Sequence, residues 1–395
     1  METIPCDADD TSVESFGTGC MRSRPFPEKH RWFMQRTFDI LSDRRGNPTA
    51  GKLDSKLVTP RGEDLLAAAV SSLVSASETE LRRPLRVQFE NEPSLDTGGV
   101  AREWFGLVAA EFLDERRELF QVVRTTGNNS FSPTDLEAGG SLAYAINPKA
   151  SLAVHDYLSY YRAFGRFIGK ALLEGHLVQL PMTSVIFKHI LGEPVSFVDL
   201  IELDGGLARS LQLLWDTTTL GSLATVPDRS ANVGDDEGQD EEDAYGLDFS
   251  VYHTAMGTVD LKPNGRNICV TKQNKREYVT LFTQWHLARS TAEELEAIVL
   301  GVHDVVPEEL LAPFDFAELR LLLCGLPVLD LDDWKSNTVV AGKLRKSKAS
   351  RLTRWFWSVL QSMSNEQRER LLQFATVVTT LPMLVSPRPH MFESP

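Results

Sequence analysis

"SYYRAFGRFIGKALLEGHLVQLPMTSVIFKHIL", residues 159–191, carries the pattern that decides the fold. Apolar residues recur at helical spacing on both sides of Pro181, so the stretch reads as two helices broken near that proline. Gly165 and Gly169 lie four apart, which lets a second helix approach closely; Arg166, Lys170 and Glu174 in the same turns rule out a membrane dimer motif and leave core packing. His176 and His189 are too far apart for the paired ligands of a metalloprotease, and HExxH occurs nowhere. Both are read as ordinary surface histidines or satisfied core ones.

Outward from this stretch, composition limits the function. At 395 residues and 42% hydrophobic, the chain has material for two or three packed domains. A net charge of −14 argues against nucleic-acid binding, which needs a basic surface, and permits basic protein partners. Part of that charge is the run "DDEGQDEED" (235–243), expected as a solvated loop. "LLAAAVSSLVSAS" (65–77) is too short and too serine-rich to span a bilayer, so no membrane helix is expected. The acidic start "METIPCDADD" is unlike a signal peptide, which places the protein in the cytoplasm, with the nucleus as a second compartment. Cys6, Cys20, Cys269 and Cys324 are scattered, with no CxxC pair, so neither a disulfide framework nor a metal site is suggested, and no cofactor is expected.

Residues 1–59 read as a polar leader, partly disordered, with one aromatic patch, "HRWFMQRTF" (30–38). A compact domain is expected from residue 60, where "EDLLAAAVSSLV" has helical spacing and "RPLRVQFENE" alternates as a strand. In "PSLDTGGVAREWFGLVAAEFL" (93–113), Gly98 and Gly99 suit a tight turn and Asp96 or Thr97 can cap a helix that buries Val100, Trp104, Leu107, Val108 and Phe112. Neither GxGxxG nor GxxxxGK[ST] is present, so a nucleotide loop is a weak reading. Between residues 245 and 287, alternation on both sides of "KPNGRN" suggests a hairpin turned by Asn264 and Gly265. "AELRLLLCGLPVLDLDDW" (317–334) reads as a buried helix ending at Gly325 and Pro327 and running into an extended acidic strip. Two more helices follow, the second with a capping box from Ser364 and Gln367.

Three stretches together resemble the HECT-type E3 ubiquitin-protein ligases: "LDTGGVAREWFGLVAAEF" (95–112), "YYRAFGRFIGKALLEGHLVQLPMTSVIFKHILG" (160–192) and "WFWSVLQSMSNEQRERLLQFAT" (355–376). "LLLCGLPVLDLDDWKSNT" (321–338) looks like that family's link between lobes. The resemblance implies an α+β, bilobal fold: a mostly helical N-lobe over 60–325, a small E2-binding subdomain at about 244–300, a hinge at 326–333 and a C-lobe over 334–395. It implies a ubiquitin-charged E2 enzyme and ubiquitin as partners, and a C-lobe cysteine that takes ubiquitin as a thioester and passes it to a substrate lysine. By position, Tyr278 corresponds to the family's exposed E2-contacting aromatic, and Tyr245 and Leu247 fall beside it; packing within the hairpin is an equally good reading of Tyr278. The resemblance implies a hinge that Gly325, Leu326 and Pro327 open, and Gly98, Gly99, Arg102 and Glu103 are expected to hold the N-lobe together.

The sequence departs from the family after about Val377. Where Thr/Ser-Cys-Phe is expected beyond Leu381-Pro382, the chain reads "MLVSPRPHMFESP". Cys324 lies in an apolar helix, Cys269 in a strand, and Cys6 and Cys20 in the leader, so none of the four is assigned a catalytic role. The expectation is therefore a HECT-type domain truncated before its acceptor thiol and inactive as it stands. The alternative is a non-catalytic E2- or ubiquitin-binding module that competes with full-length ligases; a helical scaffold docking through the acidic loop is a third.

Overall fold

The computed structural model describes residues 21–42, 55–92, 99–125, 141–216, 244–325, 331–336, 338–339, 346–363, 367–368, 371 and 390–391. In chain order the main elements are α1 (Phe26–Ser42), β1 (Ser55–Thr59), α2 (Leu65–Ser75), β2 (Leu85–Phe89), α3 (Gly99–Phe112), β3 (Phe120–Thr125), β4 (Ser141–Ile146) and α4 (Tyr157–Glu174). Then follow α5 (Ser184–Ile190), α6 (Phe197–Leu203), α7 (Gly205–Asp216), β5 (Ala244–Asp248), β6 (Ser250–His253), β7 (Gly257–Asp260), β8 (Cys269–Thr271) and α8 (Lys275–Gln284). The chain continues through α9 (Ala292–Val305), α10 (Phe316–Cys324), α11 (Leu331–Ser336), β9 (Thr338–Val339), α12 (Lys346–Ser362) and β10 (His390–Met391). The class is α+β, with strands in small two-stranded ribbons among the helices.

The chain forms two compact units, one of 1–114, 158–181 and 297–395, the other of 115–157 and 182–296. In the first, α4 is the central helix, with Phe164, Phe167, Ile168 and Ala171 buried. Phe112 meets Phe164 edge-on at 5.1 Å, and Trp104 and Phe105 pack on Phe167. The glycine spacing read from the sequence serves a helix crossing: a Cβ on Gly165 would collide with the Ile298 carbonyl oxygen and lie 2.9 Å from Gly301 Cα. Arg166 donates to the carbonyls of Leu73, Val74 and Ala76 at 2.6, 3.0 and 3.0 Å, satisfying acceptors that the end of α2 leaves open, and pairs with Asp304 at 2.7 Å. Buried Lys170 donates to Arg83 O and pairs with Glu174, which accepts from the Leu85 amide at 2.9 Å. These two side chains tie α4 to β2.

Part of the expected leader is built into this unit. The aromatic patch forms α1, with Trp32 and Phe33 buried, Phe33 edge-on to Phe314 at 5.6 Å, and Lys29 paired with Glu318 at 2.7 Å. Residues 55–59 form β1, parallel to β2 with Ser55 opposite Leu85 and Thr59 opposite Phe89. Polar composition misled here because a helix needs only one apolar face to dock. In α3 the buried face is Ala101, Trp104, Phe105, Val108, Ala109 and Phe112, whereas Val100 and Leu107 are only half-buried. Gly98, Asp96 and Thr97 lie outside the described residues.

In the second unit, β3 and β4 pair antiparallel with Phe120 opposite Ile146, and the Thr183 amide donates to Tyr144 O at 2.9 Å. Asp199 joins α5 to α6: it accepts from Ser184 Oγ at 2.9 Å, Lys188 Nζ at 2.8 Å and the Ser196 amide at 2.7 Å. The core gathers Leu200, Leu211, Phe249, Val270, Tyr278, Val279 and Leu287.

The expected hairpin across "KPNGRN" is not formed. β7 pairs with β6, and β8 pairs with β5, so the strands on either side of that turn have different partners. Asn264 does adopt the left-handed conformation, with φ 60°, but it opens a short 3-10 turn. "KREYVTLF" forms the helix α8 and not a strand, because Tyr278, Val279 and Thr283 bury one face at helical spacing. The acidic strip expected to be extended contains the helix α11. The Ser364 capping box lies outside the described residues.

Candidate functional site

The segment from β5 to α9 lies, up to residue 296, in the second unit and contains the expected E2-binding residues. Here β5 and β8 pair irregularly, with Ala244 opposite Thr271 and Asp248 opposite Cys269, and β6 and β7 form a regular hairpin with Tyr252 opposite Thr258. A Cβ on Gly265 would collide with the Phe249 carbonyl oxygen, so the turn closes tightly against the backbone of that residue.

The three expected contact residues do not share one environment. Tyr278 is 5% exposed, edge-on to Phe249 at 5.5 Å and tilted on Phe282 at 5.3 Å. Burial, helped by Asp248, raises its phenol pKa and keeps the hydroxyl protonated. The exposed-aromatic reading of Tyr278 is thus corrected: it is a core residue, because its position in a helix turns it inward. Tyr245 is half-buried, with Lys275 Nζ 6.0 Å above its ring and its hydroxyl buried without a hydrogen-bond partner. Leu247 is exposed at 42%. Sequence reading missed Tyr252 and Met256, exposed at 74% and 56%. The signal was present in β6, where Val251 and His253 turn inward and Tyr252 between them must turn out.

At the expected hinge, Gly325 ends α10 with φ 73° and ψ −167°, a region that residues with a Cβ hardly enter. Leu326 and Pro327 lie outside the described residues. Glu103 accepts from Arg61 at 2.8 Å while the same guanidinium binds Glu92 and lies 3.7 Å from the Phe89 ring centroid, tying α3 to β2. Arg102 is exposed, and Gly99 opens α3.

Cys324 donates its Sγ–H to Leu180 O at 3.4 Å, and burial pushes its thiol up to about 11. A thiol held protonated by burial is a poor nucleophile. Cys269 is exposed on β8. Cys6 and Cys20 lie outside the described residues. No group of three or more His, Cys, Asp or Glu side chains among the described residues is placed to hold a metal ion, and no described helix is long and apolar enough to cross a membrane.

Residues 106–390 match the family model described as "HECT-domain (ubiquitin-transferase)". The chain belongs to the HECT-domain family. The match runs past Val377, where resemblance was expected to fail. Similar curated proteins include the "E3 ubiquitin-protein ligase TOM1-like" of Neurospora crassa, 32% identical over 324 residues, covering 82% of this chain and 7% of that protein. The "E3 ubiquitin-protein ligase pub1" of Schizosaccharomyces pombe is 30% identical over 90% of this chain and 41% of its own length. The "E3 ubiquitin-protein ligase RSP5" of Chaetomium thermophilum is 30% identical over 82% of this chain and 35% of its own. This HECT-family chain thus spans less than half the length of each of these relatives.

Proposed function

We propose that this chain works in ubiquitin transfer as the HECT region of an E3 ubiquitin-protein ligase, engaging a ubiquitin-charged E2 through residues 244–300. The observation that carries the reading is the family match over residues 106–390, which includes that whole segment. Leu247, with Tyr252 and Met256, supplies the exposed apolar anchors, and Tyr278 supports them from the core through Phe249. Exposed aromatic and apolar side chains suit this role because they bury much area at little entropic cost. The second acyl transfer, from enzyme thiol to substrate lysine, needs a different arrangement of the reacting groups from the first. Gly325 to Pro327 is the proposed hinge that permits both, and the cytoplasm the proposed place of action.

A second reading, a binding module that holds charged E2 without turnover and competes with complete ligases, is favoured by the half-buried Cys324 thiol, whose surroundings hold it protonated. A non-reducing gel after mixing the chain with charged E2 separates the two. A thiol-sensitive ubiquitin adduct on the chain supports transfer, and its absence alongside measurable E2 binding supports the module. Leu247→Asp is expected to weaken E2 binding at least severalfold while leaving the circular dichroism spectrum unchanged. Unchanged E2 affinity in both Leu247→Asp and Tyr252→Ala would remove these residues from the interface.

A further inference from the structure

The second unit carries a partly open pocket of about 160 Å³ that the ubiquitin-transfer reading does not use. Its apolar wall includes Ile186, Leu200, Leu287 and Leu295, and Asp204, His286 and Ser290 also line it. That volume is close to the roughly 150 Å³ that accommodates a benzene ring in an apolar protein cavity.

The polar side of the cavity has an uncompleted hydrogen-bond pattern. His286 Nε2 is buried and has no hydrogen-bond partner, although buried polar atoms are almost always paired. The ring is held in place by Phe282, 4.6 Å away between centroids, and by a π-helical turn, Trp285–Arg289, in which the Ser290 amide donates to Trp285 O at 2.9 Å. Turns of this kind are rare and recur at functional sites. Burial, reinforced by His253 and opposed by Asp204, lowers the His286 pKa, so the imidazole is neutral at pH 7 and one ring nitrogen is an acceptor. Asp204, which accepts from the Leu207 amide at 2.9 Å, adds a carboxylate to the same wall. The Asp204 carboxylate beside the pocket's apolar wall favours a ligand that donates and carries positive charge and opposes an anion, and the His286 tautomer protonated on Nδ1 presents Nε2 as a matching acceptor.

We propose that this cavity is a binding site for a small flat molecule carrying an amidine or similar cationic N–H donor, with the ring against Leu200 and Leu287 and the donor facing Asp204 and His286. Ligands that bind only the folded chain raise its unfolding midpoint in a saturable way. Benzamidine, titrated into the 395-residue protein at fixed ionic strength, is expected to do so, and benzoate is not. Asp204→Asn keeps an acceptor for the Leu207 amide while removing the charge, and is expected to lose the benzamidine response. The assigned His286 ring signal in the NMR spectrum of the unaltered protein is expected to move along the same saturation curve. Equal midpoint shifts with benzoate, an undiminished response in Asp204→Asn, or a midpoint shift with the His286 signal unmoved would each overturn the assignment.

Discussion

Gly165 has no room for a side chain, because the backbone of Ile298 and Gly301 occupies the place a Cβ would take. Substituting alanine forces α4 and α9 apart or bends one of them, and overpacking of this kind costs about 1–3 kcal/mol, with backbone atoms as the obstacle placing it toward the upper end. Gly165→Ala is expected to lower the unfolding free energy measured by urea titration by that amount, whereas Gly192→Ala, where nothing lies within 4 Å but φ is +65°, tests conformational strain without crowding. Cys324 presents the opposite case, a side chain that fits in surroundings that disfavour its thiolate. Its half-buried thiol stays protonated at pH 7, so Cys324→Ala should leave any ubiquitin adduct seen on a non-reducing gel unchanged. An adduct that disappears in this variant would mean that the thiol becomes accessible and ionised during the reaction.

At the scale of elements, the sequence was most legible where one periodicity ran long. Over the 18 residues of α4 the burial is extensive, with every residue from 167 to 173 buried, and the proline break and the glycine crossing could both be read from spacing alone. Short segments were less legible: β8 has three residues and β7 four, too few for alternation to reveal which strand pairs with which. The same limit explains Tyr278. A strand reading makes its outward direction a matter of register, but α8 places Tyr278 beside Val279 on the face that packs on Phe249. Gly325 was legible because a single glycine marked a helix end, while the partners of Tyr245 and the inward turn of His286 depend on contacts that no local pattern encodes. Because Tyr278 packs in the core, Tyr278→Ala should cost about 3–5 kcal/mol of stability, as other large-to-small aromatic changes do. Tyr278→Phe should then leave E2 affinity intact; a selective loss of affinity at unchanged stability would restore the contact role to its hydroxyl.

For the whole molecule, buried ionisable groups set how stability answers to acid. His286 and His30 have pKa values lowered mainly by burial, so in both the folded state binds a proton less readily than the unfolded chain. For such groups the stabilising contribution is complete above the unfolded value of 6.5 and is lost as pH falls from there toward the lower folded value. Glu174 and Asp199 also have lowered values, because the bonds from His176 and Lys170, and from Lys188, Ser196 and Ser184, outweigh the opposing effect of burial. Their contributions persist to lower pH and disappear only below the ordinary carboxylate values of 4.5 and 3.8. Glu294 acts in the other direction: burial raises its value, so it favours the folded state under acid and partly offsets the loss just above pH 4.5. The unfolding midpoint should therefore be flat from pH 8 to about 6.5, decline as the histidines charge, slow its decline where Glu294 is protonated, and fall again below about 4.5. His286→Gln, which cannot charge, should flatten the first decline without altering the second. A first decline of the same size in that variant and in His30→Gln would mean that other groups govern it.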